Sequence, residues 1–304
     1  MAISRHQLVK ELEPGLNALF GLEYKRYDNQ HAEIYTSESS DRAFEEEVML
    51  SGFGNASVKS EGSGVAFDNA QESYSARYTH ETVALAFAIT EEAIEDNLYD
   101  RISSRYTKAL ARSMSNTKQV KAAAPLNNGL PSVDGFDSGD GVSLFNTAHT
   151  TVSGTNVKNT LTTQADLNET SLEQAMIDIA AMTDERGLRI AAKAVKMIVP
   201  SANQFQAERL MKSQGRVGTA DNDINALGSM GMIPQGYRVN NFLTDTDSFY
   251  IITDVPNGMK MFTRAPLTTA MEGDFDTGNV RYKARERYSF GFSDWRAIFG
   301  ANPS

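Results

Sequence analysis

The chain has 304 residues, of which 40% are hydrophobic and 22% are charged, a composition typical of a globular protein with a sizeable core. Its net charge of −10 argues against a dedicated nucleic-acid binder, whose domain is normally basic. The absence of cysteine excludes disulfides and thiol nucleophiles, and we find neither a signal-peptide core nor an apolar run long enough to span a membrane, so we expect a soluble protein made in a cytoplasm.

The first 44 residues are polar, with one short helical pattern over residues 7–19 and few residues that could form a core. Such a segment is poorly stabilised by itself, so we expect it either to lie against another surface or to be a frayed terminus. The stretch SGFGNASVKSEGSG at residues 51–64 is rich in glycine and serine, which predicts an exposed loop.

Two strand patterns follow this loop. Apolar residues occupy even positions from 74 to 78 and odd positions from 83 to 89. Because a shift of one residue turns every side chain to the opposite face, we predict a bulge or bend at residues 79–82. The pattern is typical of a long β-arm that bends where it leaves the body of a protein.

A long amphipathic helix is predicted next, from an N-cap at Thr90 to about Lys121, ahead of Pro125. Its acids come first, and its bases follow with no acid among them. The helix dipole favours this order only near the two ends. We interpret the basic part either as a solvated face or as a face that meets acids of another subunit or DNA. Its candidate residues are Arg101, Arg105, Lys108 and Arg112.

The middle of the chain contains a polar stretch at residues 126–169 and then alternating helix and strand patterns. We predict a helix with a capping box of Thr170 and Glu173 that stops at Gly187, and a second helix with a capping box of Ser201 and Gln204. Predicted strands occupy residues 194–199, 237–243, 248–253 and 259–264.

The last predicted strand has the clearest pattern. Apolar side chains share its even positions from 280 to 290, and the odd positions carry four cations that we call the basic ladder: Arg281, Lys283, Arg285 and Arg287. Because like charges repel, the ladder is either solvated or neutralised by acids of a neighbouring copy. Glu286 interrupts the apolar face, where unpaired burial would be costly and would raise its pKa; the alternative is an edge position that reaches water. The mixture of helices and strands indicates the α+β class.

The sequence contains no recognisable catalytic or cofactor-binding motif. A phosphate-binding loop, a dinucleotide fingerprint and a nucleophile elbow are all missing. The four histidines have no metal-ligand spacing, and the aspartates of GFDSGDG are three apart where a calcium loop needs two. We therefore predict no cofactor, no metal site and no enzymatic activity.

The order of these features resembles the HK97-fold major capsid proteins of tailed bacteriophages. The E-loop of that family is similar to VKSEGSGVAFDNAQESYSARYTHETVALAFAIT, and its spine helix is similar to TEEAIEDNLYDRISSRYTKAL. SLFNTAHTT follows, and then an A-domain-like run, SLEQAMIDIAAMTDERG and AVKMIVPSANQFQAERLMKS; the ending RYSFGFSDWRAIFGA looks like the closing strand. The likeness covers nearly the whole chain, lies in the order of elements rather than in invariant motifs, and is closest to head subunits of the Mu type.

The resemblance implies an α+β fold in five parts. These are an N-terminal arm at 1–44, an E-loop at 45–85, a first part of the P-domain at 86–169 with the spine helix at about 90–121, an A-domain at 170–262, and returning P-domain strands at 263–304.

It also implies a function as a major capsid protein, whose copies form hexamers and pentamers of an icosahedral shell around double-stranded DNA. The other implied partners are a separate scaffolding protein, a portal and, in some shells, a decoration protein. No interaction with a membrane is expected. The expected location is the virion capsid, after assembly in the cytoplasm of a bacterial host. Because the spine helix of this family lies towards the interior, its cations are expected to contact DNA phosphates without sequence preference.

Some members of the family join their subunits through an isopeptide bond between a lysine and an asparagine, promoted by a glutamate. Lys59 in the loop, with Asn279 and Glu286 on the late strand, has a similar layout. This gives the hypothesis that Glu286 accepts a proton while Lys59 attacks the Asn279 amide.

Three other functions remain open from the sequence. Within the same fold, an encapsulin-like compartment encloses enzyme cargo instead of a genome. From other classes, the chain could be a cytoplasmic α+β enzyme with an unrecognised site, or a binding module that recognises a ligand through the loop at 51–64.

Overall fold

The structure, a computed structural model, describes residues 5–95, 99–130, 138–215, 224–274 and 277–302, with side chains from residue 13 onward except in 94–102. In these ranges, no helix is both long enough and apolar enough to cross a membrane. The predicted α+β class is confirmed, because helices and strands are mixed along the chain.

The described residues form six α-helices: α1 (Arg5–Arg26), α2 (Glu91–Glu95), α3 (Tyr99–Asn127), α4 (Glu169–Ala181), α5 (Gln204–Lys212) and α6 (Ala226–Met230). In the same ranges lie twelve strands: β1 (Thr36–Ser39), β2 (Phe44–Leu50), β3 (Glu72–Thr79), β4 (Glu81–Ile89), β5 (His149–Thr150), β6 (Asn156–Val157), β7 (Ala194–Val199), β8 (Tyr237–Val239), β9 (Phe249–Thr253), β10 (Met259–Gly273), β11 (Val280–Phe292) and β12 (Ile298–Ala301). Short 3-10 turns occupy Gln30–Glu33, Ser201–Asn203 and Trp295–Ala297.

The first sheet has the strand order β1-β10-β11-β4. Strands β10 and β11 are antiparallel and long, β4 pairs antiparallel with β11, and β1 pairs parallel with β10. From Val280 to Glu286 the side chains of β11 alternate strictly between buried and exposed, which confirms the alternation predicted for this strand. The sheet therefore has one covered face and one face open to other molecules.

Strands β2 and β3 pair with each other in a two-stranded sheet, separate from the first sheet. We call β2, β3 and the residues 51–71 between them the hairpin. Most side chains of residues 53–70 are exposed, so the predicted loop is confirmed. His80 separates β3 from β4, which confirms the predicted break between the two strand patterns. The hairpin thus leaves the first sheet at His80.

Helix α3 covers one face of the first sheet, and α1 packs against α3. Leu16 and Phe20 of α1 meet Leu110 and Met114 of α3 and Tyr282 of β11 in a small apolar core. The polar N-terminal segment therefore has a surface to lie against within its own chain. Its helix extends beyond the predicted residues 7–19 to Arg26, and in this extension Phe20 and Tyr24 pack in the same core.

The long predicted helix is described as α2 and α3, with residues 96–98 outside the described ranges. The amide of Ala93 donates to Oγ1 of Thr90 over 3.4 Å, which confirms the predicted N-cap. The predicted end at Lys121 is wrong, since α3 continues through Pro125 to Asn127.

Helix α3 tolerates this proline because its last turn is buried. A proline in a helix interior costs about 3 kcal/mol, since it removes one backbone hydrogen bond. Ala122, Ala123 and Leu126 are at most 1% exposed, so stopping the helix early would uncover them. The Tyr35 hydroxyl also donates to the carbonyl of Ala122 over 2.7 Å. Tertiary packing therefore outweighs the local signal.

The second sheet has the order β12-β9-β7-β8 and belongs to the largest core of the described residues. Helices α4, α5 and α6 contribute Leu172, Leu210 and Leu227 to this core. Strand β12, near the end of the chain, pairs antiparallel with β9. The returning segment after residue 263 thus contributes to both sheets.

Both predicted capping boxes are wrong. Asn168 caps α4, because its side chain accepts from the amide of Ser171 over 2.8 Å while the Ser171 hydroxyl accepts from the amide of Asn168 over 3.0 Å. Helix α4 ends at Ala181, ahead of Gly187, whose positive φ of 83° belongs to the following turn. At α5, a 3-10 turn precedes Gln204 and Asn203 makes no capping hydrogen bond.

Candidate functional site

The basic ladder lies on the face of the first sheet opposite α3. Arg281, Lys283 and Arg285 are exposed, while Tyr282 and Ala284 between them pack towards α3. The chain therefore presents a cationic surface on the open face of this sheet, where the sequence pattern placed it.

Small side chains border the ladder along β4. Ala88, Ala86 and Ala84 stand directly opposite Arg281, Lys283 and Arg285, respectively. Asp274 forms an ion pair with Arg281, but no acid of the described residues forms one with Lys283 or Arg285. Because alanines cannot screen or neutralise these cations, this surface favours an acidic partner.

Arg287 differs from the rest of the ladder, because it is half-buried at the root of the hairpin. Its Nε, like that of Arg264, is buried and has no hydrogen-bond partner among the residues that the structure describes. The ring of His80 forms hydrogen bonds with the hydroxyls of Ser289 and Ser40 over 3.0 and 2.9 Å. Burial lowers the pKa of His80, and the nearby guanidinium groups of Arg287 and Arg264 lower it further. This end of the ladder therefore belongs to the hinge of the hairpin.

A second group of cations lies on α3, the helix that covers the other face of the sheet. Arg105, Lys108 and Arg112 are exposed, and no acid of the described part of the chain forms an ion pair with them. They recur at intervals of three and four residues, which places them on one stripe of the helix. Arg101 lies on the same helix, but its side chain is outside the described part.

The last cations of α3 are neutralised within the chain. Lys118 pairs with Glu286 over 3.2 Å, and Lys121 pairs with Glu81. The cations available to another molecule are therefore those in the first half of α3.

Glu286 is a buried carboxylate, at 2% exposure, and not an edge residue. One of its oxygens faces Lys118, and the Tyr24 hydroxyl also interacts with the carboxylate. Burial raises its pKa, and the ammonium group of Lys118 acts in the opposite direction. Within one chain, the amine next to Glu286 is therefore that of Lys118 and not that of Lys59.

The other two residues of the crosslinking hypothesis lie in different surroundings. Lys59 is exposed in the hairpin, and Asn279 is half-buried just before β11. The structure of one chain brings neither of them against Glu286 through a hydrogen bond or an ion pair.

The hairpin carries apolar side chains that the described chain leaves uncovered. Val58 and Phe67 are 97% and 98% exposed, and Phe53 and Val65 are 60% and 69% exposed. Burial of such a side chain contributes about 1.5–3 kcal/mol. Four such side chains within one exposed segment favour an interaction site. Apolar residues within a stretch of glycine and serine are a sequence signal that could have identified it.

The root of the hairpin is fixed by a polar network that local sequence patterns do not reveal. Lys260 of β10 is 7% exposed and pairs with Glu47 of β2 and Glu38 of β1. Ser293 donates to Glu47 and shares a hydrogen bond with the hydroxyl of Tyr78. Burial by itself would lower the pKa of Lys260, but the two carboxylates raise it. The root is therefore held in a definite position relative to the first sheet.

In the part of the chain that the structure describes, no cluster of histidine, aspartate and glutamate side chains is arranged to hold a metal ion.

Comparisons with known proteins give a consistent result. The sequence profile of the phage capsid protein family matches residues 73–301. A search of curated proteins found no match.

Solved structures with a similar fold include three that cover most of both chains. A virus-like particle from Pyrococcus furiosus has 10% identity and a TM-score of 0.53, with 95% of this chain and 98% of the other covered. The capsid of Myoviridae phage XM1 has 13% identity and a TM-score of 0.53, with 89% of each chain covered. A structure from Mycobacterium phage Adephagia has 11% identity and a TM-score of 0.54, with 91% of each chain covered. These similarities confirm the expected fold.

Proposed function

The chain belongs to the phage capsid protein family, and we propose that its copies form the hexamers and pentamers of an icosahedral shell around double-stranded DNA. It is a major capsid protein with the HK97 fold, and this role is structural. The hairpin carries the rest of the proposal, because its exposed apolar side chains would be buried against another copy. Contacts between two different surfaces of identical subunits generate rings when the rotation closes.

The open face of the first sheet is the proposed contact for acids of a neighbouring copy. Lys283 and Arg285 have no ion pair in the described part of the chain, and the chain has an excess of acids with a net charge of −10. An ion pair across an interface fixes register and steers association more than it adds affinity. The basic ladder would therefore select the orientation of neighbours.

The cations of α3 are the proposed contact for packaged DNA. Arg105, Lys108 and Arg112 lie on the covered side of the first sheet, so a shell that directs α3 inward places them beside the genome. We include Arg101 because of its position on the same helix. Such contacts would be made to phosphates, independent of sequence and sensitive to salt.

Further parts of the proposal come from the resemblance to tailed-phage capsids. They are a portal, a separate scaffolding protein, a decoration protein in some shells, assembly in the cytoplasm of a bacterial host, and a particular likeness to the Mu type. The division into an arm, an E-loop, a P-domain and an A-domain with the boundaries given above belongs to the same proposal.

The crosslink through Lys59, Asn279 and Glu286 would have to form between subunits, because one chain does not bring these residues together. Glu286 would also have to exchange Lys118 for the new partners. A denaturing gel of mature particles tests it: a ladder of covalent multimers that Lys59→Arg abolishes would support the bond, and a single band at 33.3 kDa would remove it.

An encapsulin-like compartment is the second candidate, favoured by the similar fold of the Pyrococcus furiosus particle. The neighbouring genes distinguish the two functions. Genes for a terminase and a portal support a phage shell, whereas a gene for a peroxidase or a ferritin-like protein supports a compartment.

The proposal is tested by sizing and electron microscopy of the purified protein. We expect rings or closed shells of megadalton mass. A stable monomer with catalytic turnover would instead support an α+β enzyme, and a monomer that loses a ligand when the loop at 51–64 is deleted would support a binding module.

A further inference from the structure

The hairpin is fastened to the body of the protein at a second place, away from its root. Nη2 of Arg186, in the turn that follows α4, lies 3.1 Å from Oδ1 of Asp68 and donates to the carbonyl of Asn69. The other oxygen of Asp68 accepts from the amide of Gly54 over 2.7 Å, on the opposite limb of the hairpin. One carboxylate thus joins both limbs to a single guanidinium group.

The turn that carries Arg186 is itself firmly built. Oδ1 of Asp184 accepts from the amides of Arg186 and Leu188 over 2.9 and 2.8 Å, and Gly187 supplies the positive φ that closes the turn. This support fixes the backbone of Arg186 relative to the body of the protein, so the side chain reaches the hairpin from a defined point.

The adjacent residue, Glu185, anchors this turn to the core and to the hairpin. It is 4% exposed and pairs over 2.6 Å with Arg296, which is 2% exposed. Its second oxygen accepts from the hydroxyl of Ser73 over 3.1 Å, at the start of β3. Two consecutive residues of the turn therefore reach the returning limb of the hairpin.

We propose that Arg186 is a positioning residue for assembly, which holds the hairpin in the orientation that presents Phe67 to a second copy of the chain. The inference rests on the proposed function, because it concerns how the hairpin docks on a neighbouring copy during shell assembly. Phe67 precedes Asp68 directly and is 98% exposed, so the position of Asp68 fixes the position of the apolar side chain.

The effect of Arg186 is on orientation more than on stability. Its side chain is 24% exposed and that of Asp68 is 49% exposed, and exposed ion pairs add little to folding. A freed hairpin would sample other orientations, and apparent affinity falls in proportion to the fraction that remains competent. If that fraction falls to between a third and a tenth, the concentration needed for assembly rises about three- to tenfold.

The first measurement concerns the orientation itself. Because the chain has no cysteine, Glu61→Cys gives a single site for a spin label at the exposed end of the hairpin. In unassembled protein, Arg186→Ala and Asp68→Ala should each raise the mobility of the label. Arg186→Lys should restore part of the order. The matched control is Arg77→Ala, which removes an arginine paired with Glu46 inside the hairpin and leaves the link to the body intact.

The second measurement is the threshold concentration for assembly, followed by light scattering in chains with the native Glu61. Arg186→Ala and Asp68→Ala should each raise the threshold about three- to tenfold. The double variant should raise it by less than the product of the two single effects, because both substitutions remove the same ion pair. The proposal is overturned if Arg186→Ala leaves label mobility or the threshold unchanged, or lowers the threshold. A native chain that forms no particles would instead overturn the proposed function.

Discussion

Replacing Lys118 by methionine should destabilise the protein by about 2–3 kcal/mol at pH 8, although the side chain keeps most of its length. The reason is the partner: Glu286 is 2% exposed, and Lys118 is the cation that pairs with it among the described residues. Removing one member of a buried pair leaves an uncompensated charge and typically costs about 3–5 kcal/mol. We take a lower figure because Lys118 is 15% exposed, so water screens part of the loss.

The pH dependence of this loss has a definite sign. Burial raises the pKa of Glu286 in the folded protein, so the folded state holds its proton to higher pH than the unfolded state. Stability therefore falls as the pH rises from the ordinary pKa of the carboxyl through its raised value. Lys118→Met removes the ammonium group that opposes this rise, so the difference from the native protein should be larger at pH 8 than at pH 5.

Urea unfolding at the two pH values measures the difference. With an m-value of about 3 kcal/mol per molar, the loss corresponds to a shift of roughly 0.8 M in the midpoint. Lys121→Met is the matched control, because its pair with Glu81 is 39% and 62% exposed and should be worth at most about 1 kcal/mol. Adding Glu286→Gln to Lys118→Met should recover part of the loss. Equal effects of the two lysine substitutions, or a larger effect at pH 5, would refute the reasoning.

Three further predictions follow from the charged groups of the fold. Reversing two cations of the basic ladder, with Lys283→Glu and Arg285→Glu, should abolish particles in the electron microscope while changing the unfolding free energy by no more than about 0.5 kcal/mol; normal shells would remove the role of the ladder. Arg105, Lys108 and Arg112 are the exposed cations among the described side chains of α3, and replacing them by glutamine should leave shells intact. The slope of log affinity for DNA against log salt should fall by about 0.9 for each phosphate that is no longer neutralised. An unchanged slope would contradict the DNA-facing position. Burial, assisted by Lys118, lowers the pKa of His31 to about 4, so the unfolded state binds the proton first as the pH falls. The free energy of unfolding should therefore fall by about 2 kcal/mol between pH 7 and pH 4.5. In urea titrations, His31→Gln should abolish this part of the acid sensitivity.

Elements with a regular local pattern were predictable from the sequence. The alternation in β11, the exposed loop of the hairpin and the N-cap at Thr90 each depend on neighbours within a few residues. The order of such elements along the chain was also sufficient to indicate the fold.

Contacts between distant parts of the chain were not predictable in the same way. Glu286 is 168 residues from Lys118, and the choice between a buried and an edge position depends on which helix covers β11. Likewise, α3 continues through Pro125 because the core buries its last turn, which outweighs the local preference. The link between Arg186 and Asp68 spans 118 residues and leaves no trace in local periodicity.

The most direct test is a cryo-electron microscopy map of particles assembled from the purified protein. We predict closed shells in which Val58 and Phe67 of each hairpin lie against a neighbouring copy and the open face of the first sheet meets acidic side chains. Particles in which these two side chains remain in solvent, or a protein that stays monomeric at every concentration, would contradict the proposed assembly.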